Sequence, residues 1–159
     1  MPAGLAQKVH FAVGLNAVAD AFSGTVYSDV VNAKNYSKVI FLVHHGVGAT
    51  GTSTFTVLAG DDAADPPTNS TAIPFKYKAM TTSDTEGAYT QATASGFAST
   101  AGSNQIYWIE VDCEELGDTG YKYVCLKCVE GVDSPRLGGI ITLLVGGRYQ
   151  QDVPATALT

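Results

Sequence analysis

The sequence predicts an all-β chain, an antiparallel β-sandwich of jelly-roll or immunoglobulin-like topology with a short N-terminal arm. Two patterns carry this expectation. Short runs rich in Val, Ile, Thr, Tyr and Phe recur between clusters of Gly, Asp, Asn, Ser and Pro, the pattern of strands separated by turns. Helical spacing is nearly absent, which excludes the parallel folds that alternate strands with helices.

The one segment with helical spacing is Phe11, Leu15, Val18 and Phe22, and it is interrupted by Gly14 and Asn16. Residues 1–16 are therefore read as an arm and residues 17–159 as a single sandwich domain. Seven strand cores follow in order: Gly24 to Val31, Lys38 to His45, Thr52 to Ala59, Ile73 to Thr81, Gln105 to Cys113, Tyr121 to Val129 and Ile140 to Val145. Val39 to Val43 is apolar at every position, which predicts a strand covered on both faces or at the centre of the sandwich. Asp61 to Thr71 reads as an exposed loop. The polar stretch Ser83 to Asn104 is expected to be functional or partly strand.

Between Ile106 and Cys113, Tyr107, Ile109, Val111 and Cys113 share one face, and Trp108, Glu110 and Asp112 the other. One face is expected to be dry and the other wet. Lys122 to Cys128 alternates likewise, with Val124, Leu126 and Cys128 opposing Tyr123, Cys125 and Lys127. The link Glu114 to Gly120 makes these two strands a hairpin candidate.

Length and charge bound the function. A chain of 159 residues is the size of one domain and can bury a core without metals or crosslinks. No apolar stretch approaches the roughly 20 residues a membrane helix needs, and Met1 to Gln7 lacks the features of a secretory signal. Nine basic against fifteen acidic residues, with no basic cluster, argue against nucleic acid as a partner. Cys113, Cys125 and Cys128 are an odd count, better read as reduced thiols than as a disulfide framework.

No catalytic, cofactor or metal site assembles from the motifs. Cys125 and Cys128 have zinc-knuckle spacing, but mid-strand they face opposite ways and lack a second ligand pair. His44 and His45 are neighbours on a strand and cannot converge on one atom, so one is expected buried and the other near the surface. Asp112, Glu114, Glu115 and Asp118 read as a solvated turn rather than a calcium loop, as do Asp61, Asp62 and Asp65. Gly46 to Gly51 is rich in glycine, yet no helix follows to bind a phosphate, and a hairpin connection is expected.

Three phrases, Val18-Ala19-Asp20-Ala21-Phe22, Tyr27-Ser28-Asp29-Val30-Val31-Asn32 and Tyr36-Ser37-Lys38-Val39-Ile40-Phe41, lead into Gly48-Ala49-Thr50-Gly51-Thr52-Ser53-Thr54. With the tail Gly147 to Ala155, they resemble the small virion proteins of tailed bacteriophages, particularly head decoration or cement proteins. The resemblance implies a β-sandwich or barrel that forms a homotrimer and binds the major capsid protein at symmetry axes on the capsid exterior. It implies no active site, no cofactor, and no direct contact with nucleic acid or membrane. It further implies a virion location after synthesis in the host cytoplasm. The shell-touching arm would be Pro2 to Asn16, with Asp61 to Thr71 and Asp152 to Thr159 as alternatives. Lys8, Val9, His10, Phe11 and Trp108 are the expected capsid or subunit contacts. A tail or head-to-tail joining protein would share the same composition. From a different class, a carbohydrate-binding module is also a β-sandwich, with Trp108, Tyr121 and Tyr123 as its outward aromatics to stack on sugar faces.

Overall fold

The computed structural model describes residues 8–147, in which period-2 burial is clearest in the strands Gln105–Asp112 and Gly138–Val145. Strands β1 (Val9–Val18), β4 (Lys38–His45), β7 (Phe75–Met80), β8 (Thr90–Ala92), β10 (Gln105–Asp112) and β12 (Gly138–Val145) form one antiparallel sheet in the order β1-β12-β4-β10-β7-β8. The second sheet runs β2 (Thr25–Tyr27), β11 (Tyr123–Val132), β5 (Thr52–Gly60), β6 (Thr71–Ile73). Two short strands, β3 (Val31–Asn32) and β9 (Phe97–Ala98), add to β11 and β5 respectively.

The inner faces make the core. Val39, Phe41 and Val43 of β4 and Tyr107, Ile109 and Val111 of β10 meet Phe55 and Val57 of β5 and Val124, Leu126 and Cys128 of β11, all buried. Each fully buried large side chain contributes roughly 1.5–3 kcal/mol relative to exposure. Between the sheets an aromatic layer runs from Phe22 through His45, Phe55 and Tyr107 to Phe97, which stacks on Tyr77 at 3.8 Å between ring centroids. The expected dry and wet faces of β10 are present, and β4 lies third in a six-stranded sheet.

The chain crosses repeatedly between the sheets: β1 lies in the first, β2 in the second, β4 in the first, β5 and β6 in the second, β7, β8 and β10 in the first, β11 in the second and β12 in the first, with the two-residue β3 and β9 on the second. The first and last strands pair, with Val9 opposite Val145 and Phe11 opposite Leu143. Of the two topologies the sequence leaves open, this connectivity is the jelly roll, in which two Greek keys wrap around each other.

Four local expectations are corrected. The arm expected over residues 1–16 is, from Val9 onward, strand β1, and residues 1–7 lie outside the described residues. Phe11 and Leu15, four residues apart, would share a face of a regular strand, but a β-bulge between Val13 and Leu15 shifts the register, leaving Phe11 on the outer face and Leu15 packed toward the core. The expected β10–β11 hairpin does not form. The link contains helix α2 (Cys113–Asp118), N-capped by the Asp112 carboxylate, which accepts from the Glu114 and Glu115 amides at 2.9 and 3.4 Å and carries the chain to the other sheet. Gly46 to Gly51 likewise joins β4 to β5 across the two sheets rather than as a hairpin. The Asp61 to Thr71 loop contains one short helical turn, α1 (Asp65–Thr68), whose Asp65 and Pro66 lie over Gly60. Near that covered end of the second sheet's outer face Leu58 and Cys125 are cross-strand partners, and Cys125 is buried although the alternation placed it with the wetter residues.

A polar knot closes one end of the sandwich. Arg136, 2% exposed on the segment before β12, donates to the Gly51 carbonyl, to His45 Nδ1 and, at 3.4 Å, to Gln105 Oε1. Gln105 also accepts from the Tyr107 hydroxyl at 2.9 Å. His45 is fully buried and His44 exposed, the division expected of neighbouring strand residues. Burial first, then the charge of Arg136, holds the His45 imidazole neutral with a pKa lowered to about 3. Since Nδ1 accepts from arginine, its proton resides on Nε2.

A histidine titrating near 6.5 when unfolded and about 3 when folded makes the unfolded chain bind the extra proton between those values. Its stabilising contribution is complete above pH 6.5 and is lost as pH falls toward 3. Urea unfolding should therefore show a loss of about 2 kcal/mol between pH 7 and pH 5 from this group, absent in His45→Gln, which retains an acceptor for Arg136. At Gly96, φ is +77° and an added Cβ would lie 1.9 Å from the Phe55 carbonyl oxygen. Gly96→Ala should cost about 3 kcal/mol or more in the same unfolding measurement.

Candidate functional site

The outer face of the first sheet is the feature that the core does not account for. Residues directly opposite on antiparallel strands share a face, so the register places Val13, Ile141, Leu42, Trp108 and Lys78 in one row across five strands. A second row runs Phe11, Leu143, Ile40, Glu110 and Lys76. The first three positions of each row are apolar, yet Phe11 is 61%, Val13 60% and Ile141 49% exposed. Solvated sheet faces normally alternate toward polar side chains. Here the middle of three adjacent strands, β1, β12 and β4, presents an uncharged apolar surface, which Val9 and Val145 extend toward Lys38 at one end of β4 and which exposed His44 bounds at the other.

Across the remaining strands the face becomes polar. Lys38 is ion-paired to Glu110, and Lys78 to Glu86 at 2.6 Å. Trp108 Nε1 donates to Glu110 Oε2 at 3.2 Å. Burial alone would raise the Glu110 pKa, but hydrogen bonds from Lys38, Trp108 and Tyr89 outweigh it and hold the carboxyl below its usual range. Tyr89 moves the other way, to about 12, through burial and its hydrogen bond to Glu110. The segment between β7 and β8 folds back, tied by the Gly87 amide to the Ala79 carbonyl at 2.9 Å, and brings Glu86 and Tyr89 over the sheet. Between them and Trp108 lies an open groove of about 310 Å³, lined by Lys78, Met80, Glu86, Tyr89, Trp108 and Glu110.

Of the contact residues expected from sequence, Val9, Phe11 and Trp108 share this outer face, while His10 pairs with buried Leu144 and points the other way. Lys8 precedes the strand and is exposed. Trp108 lies three strands from β1, about 14 Å at ordinary strand spacing, so it belongs to the groove and Phe11 to the apolar half. Tyr121 packs against the core and donates to Thr71 Oγ1 at 2.9 Å, and Tyr123 lies on β11 of the other sheet, so neither joins Trp108. The tail Asp152 to Thr159 lies outside the described residues.

Val13, Ile141, Leu143, Glu86 and Tyr89 were not singled out from sequence. A signal existed for the β12 residues: Ile140 to Val145 is apolar at both parities, as in β4, apart from Thr142. None existed for Glu86 and Tyr89, whose place depends on how their loop folds back.

Among the described residues no group of three or more His, Cys, Asp or Glu side chains is placed to hold a metal ion. The acidic cluster after β10 is the capped start of α2, signalled by Asp112 three residues before Glu115. Cys125 and Cys128 face opposite sides of β11, and burial raises both thiols, Cys125 to about 12. No protein-family model, curated protein or solved structure matches this chain.

Both thiols should therefore stay protonated and shielded at neutral pH. Reaction of Cys125 and Cys128 with an aromatic disulfide reagent at pH 8 should be at least about a hundredfold slower in the native protein than in urea, measured by mapping the labelled peptides.

Proposed function

We propose that this chain is a non-enzymatic virion structural protein, a head decoration protein that binds the assembled capsid lattice as a homo-oligomer. The observation that carries the reading is the uncharged apolar half of the first sheet's outer face, centred on Phe11, Val13 and Ile141. Contiguous apolar patches are uncommon on monomers and mark interaction surfaces. Its occupant is a second copy of the chain. With a net charge of −6, two copies repel one another over most of their surface, and this uncharged area is where they meet without opposing like charges. The phrases that resemble those of phage head proteins suggest the virion context, and the jelly roll, a fold frequent among capsid proteins, agrees with it by analogy. Multivalent attachment of such an oligomer multiplies individually weak contacts with the shell.

Light scattering on the purified protein should give the mass of an oligomer, a trimer on this reading. Phe11→Asp or Ile141→Asp should yield a folded monomer with unchanged far-ultraviolet circular dichroism, since burying an unpaired carboxylate in the interface costs several kcal/mol. The oligomer should sediment with expanded capsids lacking it, at saturating occupancy matched to the capsid symmetry. A monomer at micromolar concentration with no capsid affinity overturns the proposal.

A further inference from the structure

We infer that the groove between Trp108 and the β7–β8 loop is a binding site for a neutral carbohydrate, separate from the apolar half of the same face. Three observations converge on that ligand class. First, the groove combines two aromatic side chains, Trp108 and the 47% exposed Tyr89, with carboxylates at Glu86 and Glu110 and the ammonium of Lys78. An aromatic face packs against the C–H side of a sugar ring, while carboxylate and ammonium groups serve its hydroxyls as acceptors and donors. Its volume of about 310 Å³ falls at the lower end of the usual range for small-molecule sites.

Second, the charges balance. Lys38, Lys76 and Lys78 face Glu86, Glu110 and Asp112 on or beside this half of the sheet, and two of the acids are already engaged in ion pairs. A strongly cationic or anionic ligand finds no uncompensated charge to pair with. A neutral polyhydroxylated ligand does not need one, because it exchanges hydrogen bonds with groups that remain charged.

Third, the groups are held in place before any ligand arrives. Glu110 is held by the Lys38 ammonium and the Trp108 Nε1–H, and Glu86 by Lys78. Lys76 lies 5.9 Å from the centroid of the Tyr89 ring. Pre-organised polar groups lower the entropic cost of binding, so a shallow groove can still retain a small ligand.

Trp108 is the only tryptophan in the chain, so its fluorescence reports on the groove directly. The full-length protein is titrated with glucose-, galactose- and N-acetylglucosamine-containing oligosaccharides, with tetramethylammonium and sulfate as charged controls. The expected result is a saturable fluorescence change with at least one oligosaccharide and none with either ion. Tyr89→Ala, which keeps the reporter, should weaken that binding about tenfold, as should Glu86→Gln. Trp108→Ala, followed by calorimetry, should lose it, with thermal unfolding near that of the parent because Trp108 points away from the core. Silence toward every oligosaccharide at tens of millimolar overturns the inference, as does a response to the charged controls alone. Sugar binding unchanged in Tyr89→Ala and Glu86→Gln also overturns it, by placing the sugar elsewhere.

Discussion

The burial of Arg136 is the constraint on which the closed end of this sandwich depends. A guanidinium stays charged at any ordinary pH, and removing it from water costs several kcal/mol unless its donors are satisfied. No carboxylate forms an ion pair with it among the described residues. Its partners are the Gly51 carbonyl, at the entry to β5 in one sheet, and His45 and Gln105, at the ends of β4 and β10 in the other. One cation thus links both layers and the segment leading into β12. These three hydrogen bonds engage its two terminal nitrogens, each charge-assisted bond contributing roughly 1.5–3 kcal/mol net, while Nε stays buried without a hydrogen-bond partner among the described residues, so the desolvation is offset only in part. The arrangement requires a neutral His45, and the same burial that supplies the packing against Phe22, Phe55 and Tyr107 enforces it.

With that end closed, the two faces of the first sheet are free to serve different purposes. The inner residues of β4, β10 and β12 are committed to the core. The outer ones are not, and they divide into an apolar half at β1, β12 and β4 and a charge-balanced aromatic groove at β10 and β7. Folding accounts for neither half, since exposed Phe11, Val13 and Ile141 contribute little to the stability of an isolated subunit. Their joint placement on one face is what supports an assembly role, and the separation of Trp108 from Phe11 lets a second ligand occupy the same sheet.

The strands were legible wherever one face is dry and the other wet. Alternation at Tyr107, Ile109 and Val111 against Trp108, Glu110 and Asp112 translates directly into burial, and the all-apolar Val39 to Val43 marks a strand with apolar side chains on both faces. The first strand was illegible for the same physical reason in reverse. Its outer residues are apolar too, and a bulge displaces the pattern, so Phe11 and Leu15 mimic one turn of helix while facing opposite ways. The site was half legible: Phe11 and Trp108 stood out as large apolar residues, but Ile141, Glu86 and Tyr89 acquire meaning only from what lies beside them.

Local pattern by itself determined that this chain is an all-β sandwich and which side of most strands is buried, because alternation is a property of neighbouring residues. It also determined that His44 and His45 part company. Only tertiary structure decided which strands pair. A hairpin and a crossing between sheets join equally alternating strands, and it is α2 after β10, and the Gly46 to Gly51 turn after β4, that send the chain to the other layer. The partners of Arg136, the apolar rows and the groove around Trp108 all follow from that pairing, since each joins residues that are distant along the chain.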